Sequence, residues 1–290
     1  MRLSKFLFAA ASLITGLSAT GAMAGAASDW QMGFQDAATA VMSDITDFHN
    51  LLLVIITLIS IFVLVLLVYI MWRFSASRNP VPSKTTHHTA LEMIWTVVPV
   101  IILVVIAVPS FKLLYFQEVV PKADMTIKAT GYQWYWSYEY PDHGNVSFDA
   151  NVVDLRAPSM SAEDKKKWQA KFGSNYKRLL DTDNSVVVPV NTTVRVLVTA
   201  GDVIHNWAVP AFGIKMDGVP GRVNETWFKA EKTGTYYGMC SELCGTRHGF
   251  MPIRVDVVSK ADFEGWVKKQ AAANGDAPSS KVANLINQTR

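Results

Sequence analysis

The segment Leu51–Trp72, LLLVIITLISIFVLVLLVYIMW, lies in a stretch from Phe48 to Trp72 that carries no charged side chain. It exceeds the about 20 residues needed to cross a hydrocarbon core about 30 Å thick, so it reads as a spanning helix. A second uncharged run, Met93 to Phe111, is just long enough to span. Its Pro99 and Pro109 are tolerable where neighbouring helices satisfy the freed carbonyls. Residues 48–116 are therefore expected to form a two-helix transmembrane hairpin.

The turn between the runs, RFSASRNPVPSKTTHHT, holds Arg73, Arg78 and Lys84 and no acid. The positive-inside rule puts that turn in the cytoplasm and both chain ends outside. The N-terminus agrees. It begins with Arg2 and Lys5, continues through a short apolar run and ends in Ala22-Met23-Ala24, the small-x-small form of a secretory cleavage site. Residues 1–24 are expected to be a signal peptide, with a retained membrane helix as the competing reading. Residues 25–47 follow as an outer N-terminal segment. The location implied is a bacterial inner membrane, multi-pass, with both ends of the mature chain in the periplasm. Trp72, Trp95, Tyr115 and Phe116 near the span ends fit interfacial anchors facing lipid.

With 290 residues and 50% hydrophobic content, the chain is too apolar for an average soluble protein and too charged for membrane spans alone. A net charge of +3 without a basic stripe gives no footprint for nucleic acid. Only two cysteines occur, Cys240 and Cys244, which excludes a multi-disulfide framework.

After Pro121 the pattern changes to short runs rich in Val, Thr, Tyr and Trp, broken by Gly, Pro, Asn and Asp. Eight runs read as strands, from ADMTIKATGYQWYWSYEY to MPIRVDVVS, and imply an all-β Greek-key sandwich or barrel over 121–258. Residues 161–180 interrupt it. Ser161 followed by Asp164 is a capping-box variant, so this insert reads as a surface helix, without an evident function. A helix over about 260–273 and a polar tail occupy 259–290.

The stretch MCSELCGTRHGFM places Cys240, Cys244, His248 and Met251 in one loop, and His205 stands apart in DVIHNW. Thiolate, thioether and imidazole together select copper among common biological metals. A Cys240–Cys244 disulfide suits an oxidising compartment but leaves both histidines and Met251 unexplained. Zinc is disfavoured because a thioether is a poor structural zinc ligand. A mononuclear blue-copper site needs one thiolate. The second cysteine lets two sulfurs bridge two ions, so the residue count points to a dinuclear centre.

These motifs resemble subunit II of the cytochrome c oxidases, whose cupredoxin domain carries the dicopper centre called CuA. The resemblance runs over about Phe48 to Val258 and includes GYQWYWSYEY, VIHNWAVPAFGIKMDGVPGR and YGMCSELCGTRHGFMPI. It implies that His205, Cys240, Cys244, His248 and Met251 bind two copper ions through side chains, and Glu242 through its backbone carbonyl. It also implies that the Glu242 carboxylate reaches a magnesium or manganese ion shared with subunit I. A lone glutamate in a loop is otherwise usually just solvated. Alternatives are a membrane-anchored copper-delivery protein, which would not require both His248 and Met251, a quinol-oxidase counterpart, which would lack the cysteines, and nitrous oxide reductase, which would need a larger domain and no hairpin.

Strict alternation along GYQWYWSYEY puts Tyr132, Trp134, Trp136, Tyr138 and Tyr140 on one face, a pattern that usually means core. The resemblance singles out Trp134 as the point where electrons arrive from cytochrome c. It makes Glu92, just before the second run, the entrance of a proton path into subunit I, although an acid there can also simply favour a helix N-terminus. Glu139, Asp149, Asp183 and Asp202 are candidate docking acids for a basic cytochrome c, and Asp217 and Arg222 match positions at the subunit I interface. The whole implies the electron-accepting subunit of an oxidase whose subunit I, with further subunits, reduces oxygen to water and translocates protons.

Overall fold

The computed structural model describes residues 25–275, so the expected signal peptide at 1–24 and the tail beyond residue 275 lie outside the described residues. The two apolar runs form helices α1 (Ala40–Arg73) and α2 (Thr89–Glu118), which pack as a hairpin. Both pass well beyond the uncharged runs. At 1.5 Å per residue the 34 residues of α1 measure about 51 Å, so its first turns project past a bilayer core. There Thr39 caps the helix: its Oγ1 accepts the Met42 N–H at 3.1 Å and donates to the Phe212 carbonyl at 2.8 Å. Val41 and Met42 are buried against the following domain, and Phe116 of α2 meets Trp227 edge-on at 5.5 Å. The hairpin is thus attached to the domain at the ends of both helices, while its middle stays uncharged, strongly apolar and uncovered.

Among the described residues ten strands follow: β1 (Met125–Tyr132), β2 (Tyr135–Tyr140), β3 (Val146–Ala150), β4 (Val186–Pro189), β5 (Thr193–Ala200), β6 (His205–Val209), β7 (Ile214–Gly218), β8 (Asn224–Lys229), β9 (Gly234–Cys240) and β10 (Pro252–Val258). They form two five-stranded sheets, β3-β2-β1-β5-β8 and β4-β10-β9-β6-β7. Most neighbours are antiparallel, while β1–β5 and β4–β10 are parallel. The crossing between sheets gives the cupredoxin-like sandwich expected from the sequence.

Alternation decides the core. On β5 every second residue, Val194, Val196 and Val198, is buried, and on β10 Ile253, Val255 and Val257 face them from the other layer. Each such side chain contributes about 1.5–3 kcal/mol when fully removed from water. Several buried polar groups pair across the layers: the Tyr140 hydroxyl donates to the Val187 carbonyl and accepts the Val187 N–H, and the Trp207 indole donates to the Tyr138 hydroxyl. These bonds join one sheet to the other, which fixes their relative position as well as satisfying buried groups.

Two strand expectations are corrected. The run GYQWYWSYEY is not one strand: it turns back at Gln133–Trp134, so β1 and β2 are a hairpin. Alternation holds for Trp136, Tyr138 and Tyr140, which are buried, and fails at Trp134, which sits in the turn. Strand β7, IKMDG, was not among the expected strands.

The insert forms a shorter helix than expected, α3 (Ala162–Phe172), then a single 3-10 turn and irregular chain. Its cap is as expected: Ser161 Oγ accepts the Asp164 N–H at 3.0 Å and donates to the Asp164 carboxylate at 2.7 Å. The final helix, α4 (Lys260–Gly275), packs Phe263 and Trp266 onto the aromatic end of the core.

Candidate metal centre

Strands β6 and β9 are neighbours, with Trp207 opposite Cys240. His205 opens β6 and Cys240 closes β9, so the ladder delivers an imidazole and a thiol to one end of the sandwich. The loop from Ser241 then returns Cys244, a short 3-10 turn at His248–Phe250 and Met251, just before β10 begins. His205 and Met251 are wholly buried, Cys240 and Cys244 nearly so, and His248 is half-buried. Gly131 of β1 makes room: a Cβ there would lie 2.8 Å from the His205 ring.

The donors lie side by side. Cys240 Sγ is 3.9 Å from His205 Nδ1, 3.9 Å from Cys244 Sγ and 3.3 Å from the Glu242 carbonyl oxygen. Cys244 Sγ is 3.5 Å from His248 Nδ1 and 3.5 Å from Met251 Sδ. Both cysteines are free thiols. The donor atoms of His205, Cys240 and Cys244 all fall within 4.8 Å of one another. Two central sulfurs with an imidazole on each outer side and a thioether form a donor set that fits copper, with the Glu242 carbonyl oxygen beside them. All six residues expected as ligands are brought together.

Electrostatics separate the two thiols. Burial raises both, but in Cys240 the bonds with His205, the Asn206 and Glu242 backbones and His248 outweigh it and bring the thiol down to about 7. In Cys244 burial and the neighbouring Cys240 charge act together and push the thiol up to about 12. The pair therefore gives up one proton readily and holds the second. A metal must displace both.

Trp134 and Gln133 converge on the same loop. The Trp134 indole donates to the Cys244 carbonyl at 3.2 Å and the Gln133 side-chain amide donates to it at 2.7 Å. Gly245 fits beneath them with a φ of +122°, and a Cβ there would lie 3.0 Å from the indole. This is the left-handed side of φ, which glycine alone enters readily.

The docking candidates divide. Asp202 is part of the site: its carboxylate holds His205 Nε2 at 2.8 Å and accepts the N–H groups of Val203 and Gln133. Burial raises its carboxyl, but these bonds, His205 first, hold it below the usual carboxylate range. His205 moves the opposite way: burial lowers it, and its bonds to Cys240 and Asp202 prevail and raise it. Asp149 is exposed on β3. Glu139 is paired with Lys128 at 2.8 Å, and Asp183 accepts the N–H groups of Asn151 and Asn184.

Asp217 accepts from the Asn206 side chain, next to His205, and the Arg222 carbonyl accepts from Thr199. The Glu242 side chain is exposed. Glu92 is not brought to the site. It lies in the first turn of α2, at the far end of the hairpin, with Oε1 accepting the His88 N–H at 3.4 Å. The roles of Gln133 and Asp202 were missed by sequence reasoning, although Asp202 stands only three residues before His205.

The family model for the periplasmic domain of cytochrome c oxidase subunit II matches residues 125–258, and that for its transmembrane domain matches residues 27–113. A probable cytochrome c oxidase subunit 2 of Rickettsia bellii is 54% identical over 88% of this chain and 89% of its own length. The chain belongs to the cytochrome c oxidase subunit II family. The cytochrome c oxidase subunit 2 of Cereibacter sphaeroides is 47% identical over 82% of this chain and 79% of its own. Among solved structures, the periplasmic domain of subunit II of the Bradyrhizobium japonicum cytochrome oxidase (CoxB) is 52% identical, covering 53% of this chain and 99% of that one, with a TM-score of 0.46. The resemblance read from the motifs therefore holds. This is a membrane protein and a subunit of a cytochrome c oxidase, working with other oxidase subunits.

Proposed function

We propose that this subunit II accepts electrons from cytochrome c at a dinuclear copper centre and passes them to haem in subunit I, where oxygen is reduced to water with proton translocation. The observation that carries the reading is the pair of buried, unbonded thiols lying between two imidazoles. Residues His205, Cys240, Cys244, His248 and Met251 would hold the ions by side chains and Glu242 by its carbonyl. Copper bound there would supply one-electron redox chemistry.

The protein's part is positional. The sandwich fixes the donors before the metal arrives, which limits rearrangement when an electron is gained or lost. Burial excludes water from the sulfurs, and no group at the site is placed for acid–base work on a substrate. Trp134 receives the electron at the surface turn, and its hydrogen bond to the Cys244 carbonyl gives a short covalent and hydrogen-bonded route to the thiolate. Asp149, beside the turn, is the docking acid best placed for a basic cytochrome c; Glu139 pairs with Lys128, Asp183 accepts backbone N–H groups, and Asp202 is engaged with His205 and Gln133.

In this reading residues 1–24 are a cleaved signal peptide, 25–47 an outer segment, 48–116 the lipid-facing hairpin, 121–258 a periplasmic domain and 259–290 a C-terminal helix and tail. The membrane is a bacterial inner membrane. The exposed Glu242 carboxylate offers a hard oxygen ligand to a magnesium or manganese ion shared with subunit I. Glu92, at the cytoplasmic end of α2, is the proton-path entrance.

Rapid mixing of the purified oxidase with reduced cytochrome c tests the proposal. Copper should be reduced before haem, and Cys244→Ser should abolish that first phase and slow haem reduction. Haem reduction at an unchanged rate in Cys244→Ser would overturn it.

A further inference from the structure

Three donors converge on the carboxylate of Asp202. Oδ1 lies 2.8 Å from His205 Nε2 and 2.6 Å from the Val203 N–H, and Oδ2 lies 2.7 Å from the Gln133 N–H. The acid stands between the solvent and a wholly buried imidazole: about a third of its side chain is exposed and none of that of His205. His205 turns its other nitrogen, Nδ1, toward Cys240. Gln133 in turn bonds to the Cys244 carbonyl, as Trp134 does. Asp202 therefore belongs to a closed ring of contacts, from Gln133 to Cys244, across the sulfurs to His205, and back through the carboxylate to Gln133.

We propose that Asp202 is a positioning residue of the electron-input path, which fixes the tautomer and aim of His205 and holds the Gln133–Trp134 turn in register with the copper loop. This rests on the dicopper reading above.

The chemistry follows from the contacts. An imidazole that donates Nε2–H to a carboxylate presents a lone pair at Nδ1, the atom facing the sulfurs, and becomes a stronger donor there. The ring cannot rotate without breaking that bond and leaving a buried N–H unpaired. The same carboxylate accepts the backbone N–H of the residue before Trp134, so displacing it releases the turn and the ligand together. A docking acid has no need of such contacts. Asp149, exposed nearby on β3, supplies the contrast.

The removal of a negative charge and of donor strength at His205 both favour the reduced metal, so the copper potential should rise in Asp202→Asn. Loss of a carboxylate partner to a ligating histidine also weakens metal retention, by about 10–100-fold in general.

The test uses the whole purified oxidase, comparing wild type, Asp202→Asn, Asp202→Glu and Asp149→Asn by copper content, electron paramagnetic resonance, midpoint potential and salt dependence of reduction by cytochrome c. Absence of a dicopper signal from the wild type would remove the underlying reading itself. With that signal present, Asp202→Asn should show an altered copper hyperfine pattern, a raised potential and faster copper loss to a chelator, whereas Asp149→Asn should keep the wild-type copper content, signal and potential and alter only the rate and salt dependence of reduction by cytochrome c. If Asp202→Asn does not assemble, Asp202→Glu decides, because a longer carboxylate cannot hold all three donors in place: a shifted signal supports the proposal. A wild-type signal and potential in whichever of these Asp202 variants assembles would overturn it and leave Asp202 as a docking charge.

Discussion

The Trp134 indole N–H and the Cys244 carbonyl oxygen are 3.2 Å apart, which joins a surface turn of the first sheet directly to a thiol-bearing loop of the second. Trp134→Phe keeps an aromatic ring but removes the indole N–H, and with it the hydrogen bond, together with part of the packed surface. Because Gln133 still donates to the same oxygen, the stability cost should be about 0.5–1.5 kcal/mol, with copper content intact. Reduction by cytochrome c should slow, measured by rapid mixing, while reduction by a small soluble donor should change less.

Gly131 faces the ring of His205 so closely that a methyl group would meet it at 2.8 Å. Gly131→Ala should push the imidazole off its position at an overpacking cost of about 1–3 kcal/mol. Copper retention against a chelator should fall, with the β-rich circular dichroism preserved. Retention equal to wild type would show that the close approach is not limiting.

Asp149 is exposed beside the Trp134 turn, whereas Glu139 is already neutralised by Lys128. Asp149→Lys should lower the second-order rate of reduction by cytochrome c several-fold at low ionic strength, where charges act over about 10 Å or more, and should flatten its salt dependence. Glu139→Gln should do far less. Equal effects at the two sites would contradict this division.

These assignments show what the sequence carried and what it did not. Cys240, Cys244, His248 and Met251 were legible because all four lie in one loop, and the ladder that places β6 beside β9 explains why His205 joins them. The hairpin was legible from charge alone. Trp134 was misplaced on a strand face because alternation cannot reveal where a strand turns back. The engagement of Glu139 depends on a register that sets Lys128 opposite it. Strand β7 escaped because IKMDG, with one β-branched residue and a terminal glycine, lacks a strand signature.

The insert should respond to acid through Asp154. Burial raises its carboxyl, but the Arg156 N–H and the Arg178 side chain pull it below the usual range. A lowered folded value means that the stabilisation is complete above the unfolded value of about 3.9 and is lost as pH falls through the folded one. With Arg178 substantially exposed, solvent screening leaves about 1 kcal/mol or less. Cleavage of the insert by an acid-active protease should rise as pH drops below about 4, and Asp154→Asn should raise it at higher pH and remove that dependence. A pH profile unchanged in Asp154→Asn would refute the assignment.

The most direct measurement is metal analysis combined with electron paramagnetic resonance of the oxidised, purified oxidase. Two coppers bound per subunit II, with one unpaired electron shared between them and lost in Cys240→Ser and Cys244→Ser, is the expected result. A single copper with a localised signal, or a shared signal that survives loss of either cysteine, would contradict a dinuclear centre built on these two thiols.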